Sequence, residues 1–269
     1  MDFQPPSIES LRQSDWRRLP EDELRYLQDK ARFLRENTDK SILMTNWGPA
    51  SLGPPSVGSI TEWLVMMVTE PDYVSELMDL AAEIAIDNLK LYWEAIGIDI
   101  DIISLDGHDF GSQERELFSP AVFEQFHEPC YKKQCDWIHE NTPWKISKHC
   151  CGSIPNLIEP MIRAGIDVLN PVQTSAKNME ADVLKSRFGD RITFRSGGVD
   201  TQRILPFGTP DDVREDVRQR LQTLGTDGGF IWAAIHNIQY DIPPENIVAV
   251  IDAVHEYGHY PLEKETLPV

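Results

Sequence analysis

A histidine and two cysteines stand together in Lys148-His149-Cys150-Cys151-Gly152, at the end of the apolar run 144–147. Side chains on a strand alternate between two faces, so His149 and Cys151 share one face and Cys150 takes the other. An imidazole and a thiolate on one face are half of a zinc site. Gly152 lets the backbone turn sharply, and Ser153 with Pro155 reads as the start of a helix. A zinc ion with three protein ligands keeps an open position for chemistry. The third ligand has to come from another strand end, with His236 the first choice and His108 the second. A thiol entering the open position would be deprotonated, and a thiolate is a strong nucleophile at neutral pH. Asp106 or Asp109 could orient a histidine ligand through its other ring nitrogen. Other readings stay open. Vicinal cysteines also occur as buried, unreactive thiols, and His236 taken alone reads as a hydrogen-bonded structural histidine.

These residues depend on the elements that carry them. Strands are expected at 41–46 (SILMTN), 99–105 (DIDIISL), 144–148, 166–170 (IDVLN), 192–195 (ITFR) and 229–234 (GFIWAA). Helical spacing marks 22–36, 59–68 and 72–96, where Val74, Leu77, Met78, Ala81, Ile84 and Leu91 recur along one stripe. Further helices are expected from Ser119-Pro120 to about Asn141, over 154–164, over 181–188, from Thr209-Pro210, and from Pro243-Pro244 to about Tyr257. Thr209 supplies a capping hydroxyl, Pro210 the first helical position, and Asp211 with Asp212 a first turn suited to the helix dipole. Strands that alternate with helices imply parallel pairing. Six such units are visible. The length suits a TIM-type (β/α)8 barrel, but the count is two units short, and residues 1–40 offer no strand. The expected division is a polar helical segment over 1–40 and a barrel domain over 41–269.

Polar residues gather after the strands. They are Asn46 and Trp47; Asp106, His108 and Asp109; His149 and Cys151; Asn170 and Gln173; Asp200 behind Gly197-Gly198; and His236, Asn237 and Gln239. In a parallel barrel these positions converge on the mouth where substrate binds. The opposite strand ends hold ordinary turn residues. Asp200 reads equally well as a helix cap, and Trp47 as packing. Cys130 and Cys135 lack ligand spacing.

Composition narrows the function classes. The 269-residue chain carries 44 acidic against 25 basic residues, a formal charge of −19, which disfavours nucleic acid and anionic membranes. No apolar run approaches the roughly 18 residues of a membrane helix. The opening MDFQPPSIESLRQSDWRR lacks the apolar stretch of a signal peptide. Four cysteines in a chain this long do not make a disulfide framework, so a reducing, cytoplasmic setting is expected.

The segments HCCGSIPNLIEPMIRAGIDVLNPVQTSAKNM, GDRITFRSGGVDTQRILPFGTPDDV and GGFIWAAIHNIQYDIPPENIVAV together resemble the uroporphyrinogen decarboxylase superfamily. The resemblance runs from about Leu24 to Tyr257. The branch it is most similar to holds the corrinoid-dependent methyltransferases that act on methanol, methylamines and aryl methyl ethers. It implies a (β/α)8 barrel with its site at the carboxyl ends of the strands. It also implies a His-x-Cys zinc pair, matched here by His149 and Cys151. In that branch the third ligand is usually a cysteine after the last strand, where this chain has His236. The implied reaction moves a methyl group between a small corrinoid-binding protein and a thiol or pterin acceptor. Catalytic roles would fall to Asp106, His108 and Asp109. Substrate contacts would come from Asn46, Trp47, Asn170, Gln173, Asp200, Asn237 and Gln239. The arginine-rich RQAGRY-type motif of the decarboxylases is absent. Decarboxylation, with Asp106 or Asp109 assisting proton transfer, is the second reading, and a non-catalytic ligand-binding barrel the third. Relatives carry two further strands upstream, and open strand edges would favour a homodimer.

Overall fold

In a computed structural model, residues 4–45, 52, 53, 55 and 57–262 are described. Six short strands are β1 (Leu43–Met44), β2 (Ile102–Ser104), β3 (Lys145–His149), β4 (Val168–Asn170), β5 (Thr193–Arg195) and β6 (Phe230–Ile231). Their order in the sheet follows the chain. The registers are parallel, with Ile103 opposite Ile146 and Leu169 opposite Phe194, as helical connections require. The helices are α1 (Ile8–Arg12), α2 (Glu21–Asn37), α3 (Ile60–Thr69), α4 (Pro71–Ile96), α5 (Pro120–Val122), α6 (Glu128–Asn141), α7 (Ile158–Ala164), α8 (Ala181–Phe188), α9 (Ile204–Phe207), α10 (Pro210–Gly225) and α11 (Pro244–Tyr257).

Most strands are shorter than the runs expected for them, because only part of each run pairs; β3 keeps its expected length but lies one residue later, at Lys145–His149. The helix expected from Ile154 begins at Ile158 instead, since 154–157 form a turn. α1 and α9 are too short for their periodicity to stand out in the sequence. Among the described residues of 4–40 there are helices and no strand.

The chain forms two compact units. The first holds 1–108, 118–148 and 159–166. Its centre is α4, whose stripe of Val74, Leu77, Met78, Ala81 and Ile84 is fully or almost fully buried. Each of the four larger side chains contributes roughly 1.5–3 kcal/mol on leaving water, and Ala81 less. Helix α4 packs against α2 and α6. It ends at Gly97, where φ is +54° and a side chain would be unfavourable. The Gly97 carbonyl accepts from Trp144 Nε1 at 2.8 Å, which ties the helix end to the start of β3. A Ser59–Glu62 capping box opens α3. The division expected at residue 40 falls inside this unit. Asn88 of α4 bonds the backbone of Arg17 and Leu19, and Arg35 of α2 pairs with Asp101 at 2.8 Å.

The second unit holds 109–117, 149–158 and 167–269. Helices α10 and α11 pack together, and Val213, Val217, Leu221 and Leu224 of one and Ala249, Val250 and Ala253 of the other are buried. Thr209 and Asp212 form the capping box that opens α10. Buried Asn246 donates to the carbonyls of Leu205 and Gly208, which fixes the end of α9.

Candidate functional site

Strand β3 ends at His149, and Cys151 follows two residues later. Alternation holds: Cys150 points into the interior, where its sulfur accepts from Phe110 N at 3.2 Å. Cys151 Sγ lies 3.4 Å from His149 Nε2. His236, just beyond β6, completes the group. One ligand atom from each of His149, Cys151 and His236 lies within 4.8 Å of the other two. The two imidazole rings sit 6.0 Å apart, edge toward face. All three residues belong to the second unit. His149 is buried, Cys151 half-buried and His236 exposed, so the group opens to solvent on one side.

The backbone is unusual at two places here. His236 has φ +62° and Ser196 has φ +68°, both in the left-handed region that non-glycine residues seldom occupy. Such conformations cluster at functional sites.

The surroundings of His149 settle which nitrogen faces the group. Asn170 Oδ1 accepts from His149 Nδ1 at 2.9 Å, and Asn170 Nδ2 donates to Ser196 Oγ at 2.9 Å. With Nδ1 carrying the proton, Nε2 presents its lone pair toward Cys151. Histidine ligands of metals are held in this way. Cys150 N donates to the carbonyl of Asn170, joining the end of β3 to the end of β4.

A strap over 109–113 holds the turn 150–153. Asp109 Oδ1 accepts from Cys151 N at 2.7 Å and lies 3.6 Å from His149 Nε2. Ser153 N donates to Ser112 O at 2.8 Å. Gly111 and Gly152 touch backbone to backbone, and a Cβ on either would overlap the other's main chain. Gly152 also has φ +94°. Its N–H donates to Gln173 Oε1 at 2.8 Å, while Gln173 Nε2 donates to Gln113. Gln173 therefore positions the turn, a role its place after β4 did not announce.

The remaining candidates divide. Asn46 and Trp47 lie outside the described residues. Asn237 and Gln239 are exposed beside His236. Asp200 caps its own turn, accepting from Gln202 N and Arg203 N at 2.8 and 3.0 Å. Asp106 and His108 belong to the first unit. Asp106 is fully buried, 2.6 Å from the equally buried Lys148 ammonium, and accepts from Tyr131 Oη at 2.6 Å. His108 N donates to Asp106 Oδ1, and Lys148 Nζ donates to His108 O. Burial disfavours the Asp106 charge, yet Lys148 and His108 outweigh it and hold the carboxyl well below the usual range. Sequence reasoning missed Lys148, Tyr131 and Ser196. A lysine inside an apolar strand was the available signal, since lysine is almost never fully buried without a partner.

Two neutral imidazoles and a thiolate are a competent donor set for zinc, with softness and nitrogen basicity both suited to that ion. The hydrogen-bonded Nδ1 of His149 and the opening toward solvent fit an exchangeable metal position.

Parallel strands in chain order, each followed by helix, with polar groups after the strands, define an α/β enzyme architecture of the kind (β/α)8 barrels share. The family model for uroporphyrinogen decarboxylase (URO-D) matches residues 3–257, and the chain belongs to that family. Uroporphyrinogen decarboxylase from Alkalilimnicola ehrlichii is 27% identical over 244 residues, covering 88% of this chain and 63% of the relative. Its counterpart from Pseudoalteromonas atlantica is 25% identical over 248 residues, covering 89% and 66%. The chain thus spans less than two thirds of the length of these curated relatives. A solved structure, a methyltransferase from Methanosarcina mazei, superposes with a TM-score of 0.64 at 20% identity, covering 90% of this chain and 68% of that one. The likeness is one of fold.

Proposed function

We propose that this chain is a zinc-dependent methyltransferase that moves a methyl group between a corrinoid held by a small partner protein and a thiol or pterin acceptor. The observation that carries this reading is the meeting of His149, Cys151 and His236 within ligand distance of one another. Zinc bound there would supply the Lewis acidity that keeps an acceptor thiol deprotonated at neutral pH. The chain's own residues do the rest. Asn170 holds the proton on His149 Nδ1, Cys151 provides a thiolate from a turn fixed at its backbone, and the exposed side of His236 admits the acceptor. The structural neighbour named a methyltransferase supports the same direction.

Decarboxylation is the second reading, and the names of the curated relatives favour it. Two observations weigh against it. Asp106, a candidate proton donor, is sealed from solvent against Lys148. The chain's charge of −19 is also a poor host for a substrate bearing many carboxylates. The proposed setting is cytoplasmic; no helix among the described residues is long and apolar enough to cross a membrane. A homodimer that covers the open strand edges is part of the proposal.

Metal analysis of protein purified without added metal is the first test. Close to one zinc per chain is expected, lost in His149→Ala and Cys151→Ala. Loss of methylcobalamin absorbance on adding a thiol should follow zinc occupancy. A chain free of zinc that decarboxylates uroporphyrinogen would overturn the reading.

A further inference from the structure

Helix α3 is apolar on every side, a pattern that belongs to a covered helix rather than a surface one. Trp63, Met66 and Met67 are buried in the cluster that includes Val74 and Leu77 of α4. The opposite stripe faces water: Ile60, Val65 and Val68 are 55, 42 and 77% exposed. Glu62, the one charged residue of α3, is turned back onto Ser59 N at 2.7 Å and leaves that stripe without a charge. Two hollows flank the stripe and share Val65 and Thr69. One, of about 450 Å³, lies against Leu64 and Val68. The other, of about 270 Å³, lies against Met66, Tyr73 and Glu70.

The charge around this face has one sign. Between Lys40 and Lys90 the chain has no lysine or arginine and seven acidic residues. Farther along α4, Asp79 pairs with Lys133 and Glu83 with Arg12. Among the described residues no cation pairs with the exposed Glu70, Asp72 and Glu76, which open α4. The helix dipole favours acids at the start of α4, but it does not account for the lack of any basic residue over two helices. A second copy of this chain offering the same face would set acid against acid, which is unfavourable. Nucleic acid and anionic lipid would be repelled in the same way. The ten-residue stripe is about 15 Å long and is flanked by hollows on both sides, a shape suited to a helix laid along it.

We propose that the outer face of α3 is a docking site for a basic amphipathic helix of another protein. Apolar side chains of that helix fill the hollows beside Val65 and Thr69, and its lysines or arginines meet the acids that open α4. The inference stands apart from the zinc reading and uses residues of the first unit alone.

The test uses the full chain and a fluorescein-labelled synthetic helix of about 14 residues, with leucines at i, i+3, i+4 and i+7 and lysines elsewhere. Fluorescence anisotropy reads the binding. Val65→Ser with Val68→Ser should weaken it about 10-fold or more, with unchanged circular dichroism because both side chains are exposed. Glu70→Gln, Asp72→Asn and Glu76→Gln together should weaken it about 10-fold and flatten its salt dependence. Glu140→Gln, Asp190→Asn and Asp252→Asn together remove the same charge elsewhere and should change binding less than about two-fold. An equal loss in both triple variants, or equal binding of a peptide with serine in place of leucine, would reduce the effect to general charge attraction and overturn the inference. Absence of peptide binding would overturn it as well. Self-association that Val65→Ser with Val68→Ser abolishes would give the face to a second copy and overturn it too.

Discussion

Asn170 accepts a hydrogen bond from His149 Nδ1 at 2.9 Å while its amide nitrogen holds Ser196 Oγ. The end of one strand thereby sets the tautomer of the histidine at the end of the next. Removing this acceptor lets the ring turn and lowers the basicity of Nε2. Asn170→Ala should reduce zinc affinity about 10- to 100-fold with the fold retained. Chelator competition with circular dichroism checks it; unchanged affinity would count against a metal role for His149.

The buried Lys148–Asp106 pair makes a prediction about stability. Removing one partner leaves the other charged and sealed from water, which costs about 3–5 kcal/mol. Lys148→Met should therefore lower the urea midpoint sharply. Lys148→Met with Asp106→Leu removes both charges and should recover much of that loss. A double variant as unstable as the single would assign the cost to packing instead.

His127 gives a pH dependence whose sign is fixed. It is fully buried, stacked between Phe118 and Phe123, and burial pushes its pKa down to about 3 from 6.5. Below pH 6.5 the unfolded chain takes up a proton that the folded chain refuses. Stability should then fall by about 1.4 kcal/mol per pH unit as pH drops from 6.5 toward 3. Urea titrations at pH 7 and pH 5 should show a difference of about 2 kcal/mol that His127→Phe largely abolishes. A wild-type chain equally stable at both values would refute it.

Gly152→Ala tests the clasp between the strap and the turn. The residue sits at φ +94° with its Cβ position filled by the Gly111 main chain. The left-handed backbone alone should cost about 1–3 kcal/mol, and the overlap should part the two loops. Weaker metal retention together with lower stability is the expected outcome. An alanine variant with full metal content would mean that the turn is not held by this contact.

Much of this was legible in the residues. His149 and Cys151 could be placed on one face because strand alternation is a local rule, and His236 because it follows a strand. Six parallel units could be counted because each has its own cap or breaker, as at Ser59, Gly97 and Thr209. Depth was not legible. Asp106 and Asp109 lie three residues apart after the same strand, yet one is sealed with Lys148 and the other half-exposed beside the thiol. Burial depends on what distant segments lay over a residue, and that information is nonlocal. The strap was hidden for the same reason, since no local pattern pairs Gly111 with Gly152 across 41 positions. Strand length, β3 apart, was overestimated because an apolar run marks what is buried, and pairing uses only part of it.

The Gly111–Gly152 contact makes the two loops one cassette for engineering. Neither glycine tolerates a side chain: Gly152 is confined by the Gly111 backbone, and Gly111 by the Gly152–Ser153 backbone together with the Ile154 side chain. Grafting His149 to Gly152 onto another scaffold would carry the donors without the surface that orients them. The portable unit is the pair of loops, and drift in one is permitted only with a matching change in the other.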